Sequence, residues 1–172
     1  MKAIKFFAIA ILFSGVSVIS SAQVTATATA SSTIVTPIGI TKTVDMNFGN
    51  VAINSTTAGT VVLAPAGTRT STGGVTLPAT AGTVAAAEFN VTGANNYTFS
   101  ITLPLPSTSH EIKSGSNTMS VTDFTSTPTP TGTLSATGSA TVKVGATLNV
   151  SPGQAAGTYT SVTPFEVTVN YN

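Results

Sequence analysis

The chain offers few side chains that could carry out acid–base or nucleophilic catalysis. His110 is its only histidine, and it has no cysteine. A serine nucleophile would need His110 as its base and a carboxylate such as Asp45 or Asp123 to orient that base. Because such a triad is defined by geometry, a single histidine in the sequence does not indicate one. We interpret His110 as a polar residue beside a loop and expect no catalytic residues.

The acidic residues are the remaining candidates for chemistry: Asp45, Glu88, Glu111, Asp123 and Glu166. Glycoside hydrolysis needs a pair of carboxylates, and a metal site needs several ligands that converge. These five residues are scattered along the chain, which favours isolated charges on exposed strand faces. Calcium held by loop carbonyls together with Asp45 or Asp123 is an alternative that the sequence leaves open. We expect no cofactor.

The first 22 residues are predicted to be a secretory signal peptide. Lys2 and Lys5 precede an apolar run over residues 6–18, and small residues follow at positions 20–22. A bilayer span needs about 20 apolar residues, so this run is too short to be one. The sequence therefore predicts export to the periplasm, the cell surface or the extracellular space, without a membrane-spanning segment.

The mature chain is expected to carry little charge. Loss of residues 1–22 removes two of the six basic residues, so that four basic and five acidic residues remain and the net charge becomes −1 with His110 neutral. No basic residues cluster, so the chain lacks the electrostatic footprint of a protein that binds nucleic acid. We expect no nucleic-acid partner.

Apolar residues alternate with polar ones almost throughout the chain, and this period of two predicts strands with one buried face. The first alternating run extends from Val24 to Phe48, and Pro37 and Gly39 divide it into two strands or one bent edge strand. Other candidate strands are 60–63, 74–77, 88–92, 97–105, 117–124, 142–150 and 165–171. All 34 threonines follow Ala22, and this β-branched residue suits strands.

Beyond the signal peptide, no segment has the apolar spacing of a helix. Residues 125–132, with Pro128 and Pro130, are predicted to be a surface loop or a spacer. About seven to nine short strands separated by turns indicate an all-β, antiparallel sandwich or barrel. The sandwich is favoured because no even hairpin repeat is visible. We expect one such domain over residues 33–172.

The two ends of the mature chain give the main functional hint. Residues 165–172 form an alternating strand, which is either the last strand of a sandwich or a strand suited to β-augmentation. At the other end, residues 23–32 alternate threonine with small apolar residues, and we call them the N-terminal arm. This arm is a frayed terminus, a weak edge strand, or a donor strand given to a neighbour. Its apolar side would consist of Val24, Ala26, Ala28 and Ala30.

An ordered set of short motifs resembles the secreted family called domain of unknown function 4402. The motifs are Ile38-Gly39-Ile40, Met46-Asn47-Phe48-Gly49, Gly59-Thr60-Val61, Phe89-Asn90-Val91-Thr92-Gly93, Asn117-Thr118-Met119, Val144-Gly145-Ala146-Thr147-Leu148, Gly157-Thr158-Tyr159 and the terminal Val-x-Val-x-Tyr. The resemblance covers nearly all of the mature chain. That family is similar in outline to spore coat protein U domains and to chaperone–usher pilins.

The resemblance implies an immunoglobulin-like sandwich that is completed by strand donation. In pilins, a glycine before the C-terminus and a penultimate tyrosine mark the strand that a periplasmic chaperone binds. The residues of this chain in comparable places are Gly157, Phe165, Val167, Val169 and Tyr171. The resemblance therefore implies a non-catalytic structural or adhesive protein of the cell surface, a pilin-like fibre subunit whose partners are copies of itself and a chaperone.

The alternative function is a stand-alone secreted module that binds a ligand such as a carbohydrate. Aromatic platforms for sugar rings would have to come from Tyr97, Tyr159 and Tyr171, since the chain has no tryptophan. These tyrosines fall at strand ends or on the side of a strand where the other residues are apolar. A tyrosine at such a position is more often buried in the core than exposed as a platform for a sugar ring. The aromatic residues therefore give a lectin role no positive support.

Overall fold

The computed structural model describes residues 23–172. The predicted signal peptide, residues 1–22, lies outside this range. The chain divides into two compact units, Met1–Thr33 and Ile34–Asn172. In the first unit, residues 23–33 form no helix or strand and their side chains are exposed. All the strands belong to the second unit.

Strands are the only regular secondary structure between residues 23 and 172, which confirms the all-β prediction. They number fifteen rather than seven to nine, in part because five consist of only two residues. Their bounds are β1 Gly39–Val44, β2 Asn47–Phe48, β3 Ala52–Ile53, β4 Gly59–Leu63, β5 Arg69–Gly73, β6 Val75–Thr76, β7 Val84–Ala85, β8 Ala87–Thr92, β9 Thr98–Thr102, β10 His110–Ser114, β11 Asn117–Thr127, β12 Thr131–Thr133, β13 Ser139–Val150, β14 Thr160–Ser161 and β15 Thr168–Tyr171.

The strands pair antiparallel in one large sheet, one small sheet and two short ribbons. The large sheet has the order β1-β8-β13-β11-β10-β14, and the β4–β5 hairpin is also joined to β13. The small sheet has the order β12-β9-β15. The ribbons are β2–β7 and β3–β6. This arrangement of antiparallel sheets around one core is sandwich-like, as the alternating pattern predicts.

The large sheet branches at Gly145 in the middle of β13. On one side of β13, residues 139–144 pair with β8 and residues 146–150 pair with β4. The opposite side of β13 pairs with β11. A Cβ at position 145 would overlap the carbonyl oxygen of Leu63 and the backbone of Ala64, so the branch point accepts only a residue without a side chain.

The core consists mainly of the inward-facing side chains of both sheets, with Val75 from the β3–β6 ribbon and Leu134 from the segment after β12. From β13 it takes Val142, Val144, Ala146, Leu148 and Val150, and the outward-facing residues between them are mostly polar. Phe99 of β9 is fully buried, and Gly132 of β12 packs so closely on its ring that a Cβ there would overlap it. Further core members are Val61, Val75, Ala87, Val91, Val121, Phe124, Leu134 and Val169.

Two predicted elements are wrong. Residues 125–132 are not a single loop, because β11 continues to Thr127 and β12 begins at Thr131. The alternating run from Val24 to Phe48 forms strands only from Gly39 onward. Its first part alternates threonine with alanine, whose side chains bury too little apolar surface to offset the entropy of ordering the chain.

Candidate functional site

The last strand, β15, lies at the edge of the small sheet with β9 as its neighbour. Among its residues and those just before it, Phe165, Val167 and Tyr171 are half-buried and Val169 is buried. The intervening Glu166, Thr168, Asn170 and Asn172 are exposed. The alternation therefore directs one side of this segment into the core and leaves the other in solvent.

Tyr171 joins three separate segments through its side chain. Its hydroxyl donates a hydrogen bond to the carbonyl oxygen of Thr36 at 2.7 Å and accepts one from the backbone N–H of Ala94 at 2.6 Å. The Tyr171 ring also packs edge-on against Tyr97, with 5.6 Å between ring centroids. Gly93 keeps this space open, since a Cβ there would overlap the hydroxyl. The penultimate tyrosine is thus bound within its own domain.

Phe165 belongs to an aromatic cluster that also contains Phe89, His110 and Phe124. The Phe165 ring centroid lies 4.7 Å from that of Phe124 and 6.3 Å from that of Phe89. His110 contacts Phe124 edge-on at 5.3 Å. Its Nε2 atom is buried and has no hydrogen-bond partner among residues 23–172. His110 therefore follows a loop directly, as the first residue of β10, and its ring packs against the aromatic cluster.

Among residues 23–172, neither Asp45 nor Asp123 forms a hydrogen bond with His110. His110 pairs with Val121, whose side chain is buried, and so it lies on the core face of the large sheet. Asp123 is exposed at a bulge of β11 and accepts a hydrogen bond from the Thr122 hydroxyl at 2.9 Å. Asp45 forms an exposed salt bridge with Lys42 at 2.6 Å. Among residues 23–172, no three histidine or acidic side chains come together as a metal site would require.

Gly157 and the N-terminal arm are the other two groups of sequence-predicted site residues. Gly157 is exposed in the connection between β13 and β14, where a Cβ would approach the Ser114 hydroxyl. The side chains of the N-terminal arm are exposed throughout, and Val24 is 92% exposed. No strand pairing in the described part of the chain includes the arm. The structure therefore brings together Phe165, Val167, Val169 and Tyr171 but not Gly157.

Sequence reasoning missed a groove of about 510 Å³ on the large sheet, lined by both polar and apolar residues. One row of directly paired residues crosses five strands of this sheet: Thr72 of β5, Thr60 of β4, Asn149 of β13, Ser120 of β11 and Glu111 of β10. Directly paired residues in an antiparallel sheet point to the same face. Because β5 and β10 were not predicted as strands, the sequence alone could not place these residues in one row.

Hydrogen bonds hold part of the row in place. The hydroxyls of Thr60 and Thr72 lie 2.7 Å apart. The amide nitrogen of Asn149 donates to the Ser120 carbonyl oxygen at 3.4 Å and to the Thr122 hydroxyl at 3.0 Å. Both Asn149 and Ser120 line the groove. The amide oxygen of Asn149 and the hydroxyl of Ser120 have no partner among residues 23–172, so both retain hydrogen-bonding capacity.

In the part of the chain that the structure describes, no helix is long and apolar enough to cross a membrane. No curated protein and no solved structure matches this chain. A family model does match, over residues 38–171, which is the part of the chain that contains every strand described above. The chain therefore belongs to the family described as domain of unknown function DUF4402.

Proposed function

We propose that this protein is a non-catalytic, exported structural or adhesive protein of the cell surface, which assembles with copies of itself by β-strand donation, as a pilin-like fibre subunit does. The observation that carries the proposal is the N-terminal arm. It alternates small apolar residues with threonines, its side chains are exposed along its length, and it forms no strand of its own. A peptide segment of this kind has free backbone groups on both sides.

The arm has the pattern of a donor strand. Val24, Ala26, Ala28 and Ala30 share one parity, so in extended conformation they would point to one side. Their side chains are small and would fill shallow pockets, and most of the affinity would come from backbone hydrogen bonds to a sheet edge.

Strand β15 supports the proposal as the acceptor edge. It pairs with β9 on one side, and no strand among the described residues pairs with its other side. Phe165, Val167 and Tyr171 pack against the core yet are only half-buried. A donated strand beside β15 would cover more of this apolar surface, and a periplasmic chaperone would protect the same edge before assembly.

Deletion of residues 23–32 tests the proposal directly. The deleted chain should remain folded but lose concentration-dependent assembly, as measured by size-exclusion chromatography alongside a thermal melt. A synthetic peptide of the arm sequence should bind the deleted chain. Oligomers that persist after the deletion would contradict strand donation.

A matched pair of variants in the arm separates backbone pairing from side-chain effects. Thr27 lies on the polar side of the alternating arm, so its side chain should contribute little to binding by a neighbouring copy. Successive N–H groups of a strand point to opposite edges, so Thr27→Pro combined with Ala28→Pro removes an N–H from the paired edge in either register and should reduce assembly. Thr27→Ser retains the N–H and should assemble like the unmodified protein. Equal assembly by the two variants would count against pairing through this segment.

A further inference from the structure

The groove on the large sheet has the chemistry of a ligand site that does not depend on strand donation. Strand donation uses backbone groups at a sheet edge, whereas this groove lies on the face of a sheet and exposes side chains. A ligand here must therefore satisfy hydrogen-bonding side chains rather than complete a ladder. The groove-facing row of Thr72, Thr60, Asn149, Ser120 and Glu111 contains three hydroxyls, one amide and one carboxylate.

We propose that this groove binds a neutral oligosaccharide that lies across the strands. Neighbouring strands are about 4.8 Å apart, so the row from Thr72 to Glu111 extends over about 19 Å. The ligand must carry closely spaced hydroxyl groups over that length, because each strand contributes one polar side chain. An oligosaccharide has this repeat of donors and acceptors.

The charges near the groove favour a neutral ligand over an acidic one. Glu111 is the one charged residue among the side chains that line the groove in the described structure. The nearest cation on the same strand, Lys113, is paired with Glu111 at 3.2 Å. This ion pair leaves the groove without a net charge that would attract an acidic sugar or a phosphate, which favours a neutral ligand.

Two groups in the groove are ready to accept or donate hydrogen bonds. The amide nitrogen of Asn149 uses both of its protons on Ser120 and Thr122, which fixes the amide and directs its free oxygen as an acceptor. Thr122 in turn donates to Asp123, which anchors this chain of bonds at the bulge of β11. The Ser120 hydroxyl supplies a donor that no residue between 23 and 172 uses. A sugar hydroxyl could donate a hydrogen bond to the Asn149 amide oxygen and accept one from the Ser120 hydroxyl.

An exposed apolar side chain lies beside the row. Val62 is 40% exposed and lies two residues from Thr60 on the same face of β4. Sugar rings have apolar C–H faces as well as hydroxyls, and Val62 would contact such a face. Val62 does not itself line the groove, whose larger apolar lining residues are Met119 and Val150 and whose lining contains no aromatic side chain.

The test is a titration of the isotope-labelled full-length protein, followed by NMR. The probes are short oligosaccharides of β-1,4-glucan, β-1,4-mannan, β-1,4-xylan and α-1,4-glucan at millimolar concentration, with oligogalacturonate as the acidic comparison. At least one neutral probe should shift the amide resonances of Ser120 and Asn149, and the acidic probe should not. The proposal is overturned by the absence of shifts with all four neutral probes, by stronger shifts with oligogalacturonate, or by shifts confined to other surfaces.

Variants then assign the binding to the row. Ser120→Ala removes a hydroxyl with no partner in the described structure, so it should leave the melting temperature unchanged and weaken binding about fivefold to tenfold. Asn149→Ala should weaken binding at least as much. Asn90→Ala is the matched control, since Asn90 lies on the same outer face in β8 and does not line the groove. Equal affinity of the Ser120 and Asn90 variants would overturn the assignment. Size-exclusion behaviour should be the same for all three, because assembly through the arm does not use this face.

Discussion

The Tyr171 hydroxyl lies 2.7 Å from the carbonyl oxygen of Thr36, a residue 135 positions earlier in the chain. The same hydroxyl accepts a hydrogen bond from the backbone N–H of Ala94. One oxygen atom therefore connects the segment before β1, the turn after β8 and the end of β15. The penultimate tyrosine closes the domain at the point where its first and last segments meet.

Tyr171→Phe should destabilise the domain by about 1–3 kcal/mol, because it leaves the Ala94 N–H and the Thr36 carbonyl without their partner. Tyr97→Phe is the matched control. Tyr97 is 46% exposed, and its hydroxyl makes no hydrogen bond among residues 23–172. Urea unfolding of both variants measures the difference. Equal stability of the two would mean that the Tyr171 hydroxyl is hydrated in solution rather than bonded to these groups.

An aspartate substitution at each of two neighbouring positions of β15 tests whether one side of this strand is buried and the other exposed. Val169→Asp buries a charge with no partner in the core and should cost about 3 kcal/mol or more, enough to unfold a marginal domain. Thr168→Asp places the same charge on the exposed side and should cost less than about 1 kcal/mol. Thermal melting checks both. Similar losses at the two positions would contradict the observed burial pattern.

The sequence predicts those strands that bury a face with large residues. β4, β8, β13 and β15 all lie within or close to predicted segments, because valine, leucine and phenylalanine recur at every second position there. The alternation in the N-terminal arm is just as regular but uses alanine. A period of two is therefore informative only where the apolar residues are large enough to stabilise a sheet by burial.

Neither β5 nor β10 shows the alternation. β5 has the sequence Arg-Thr-Ser-Thr-Gly, and β10 contains one large apolar residue, Ile112, among polar ones. Both lie toward the edges of the large sheet, where partner strands supply the backbone hydrogen bonds and solvent reaches the side chains. The groove depends on these two strands and on the register across five strands, neither of which a single sequence encodes locally. It could therefore not be predicted.

Arg69 is expected to contribute through hydrogen bonds rather than through an ion pair. Its guanidinium donates to the carbonyl oxygens of Phe48, Asn50 and Ala81, and so ties β5 to the loops around β2. Arg69→Met should cost about 2 kcal/mol or more, because three carbonyls lose a charged donor. Lys42→Met removes an exposed salt bridge and should cost less than about 1 kcal/mol. Chemical denaturation of the two variants measures the change in the free energy of unfolding. An Arg69→Met variant as stable as the unmodified protein would contradict this role.

Export predicts a defined N-terminus for the mature protein. If residues 1–22 are a signal peptide, the intact mass of protein recovered outside the cytoplasm corresponds to a chain that begins at Gln23. Mass spectrometry of the recovered protein measures this directly. A mass that includes the apolar run over residues 6–18 would contradict the signal-peptide prediction, and the donor arm would then not begin at a free terminus.

The branch of the large sheet at Gly145 gives the last prediction. Gly145→Ala should destabilise the domain by about 1–3 kcal/mol, since the added methyl group meets the backbone of Leu63 and Ala64, which cannot rotate away. Gly157→Ala is the control, because the nearest atom there is the Ser114 hydroxyl, which can rotate, and position 157 is exposed. It should change stability by less than about 0.5 kcal/mol.

The Gly145 variant also affects the groove, because β13 carries Asn149 and pairs with β4 through residues 146–150. Separation of β4 from β13 would break the row between Thr60 and Asn149. We therefore expect the Gly145 variant to lose amide hydrogen-exchange protection in β4 before it loses protection in β8, which pairs with the other half of β13. Equal loss in both strands would indicate that the two halves of the sheet unfold as one unit rather than independently at the branch.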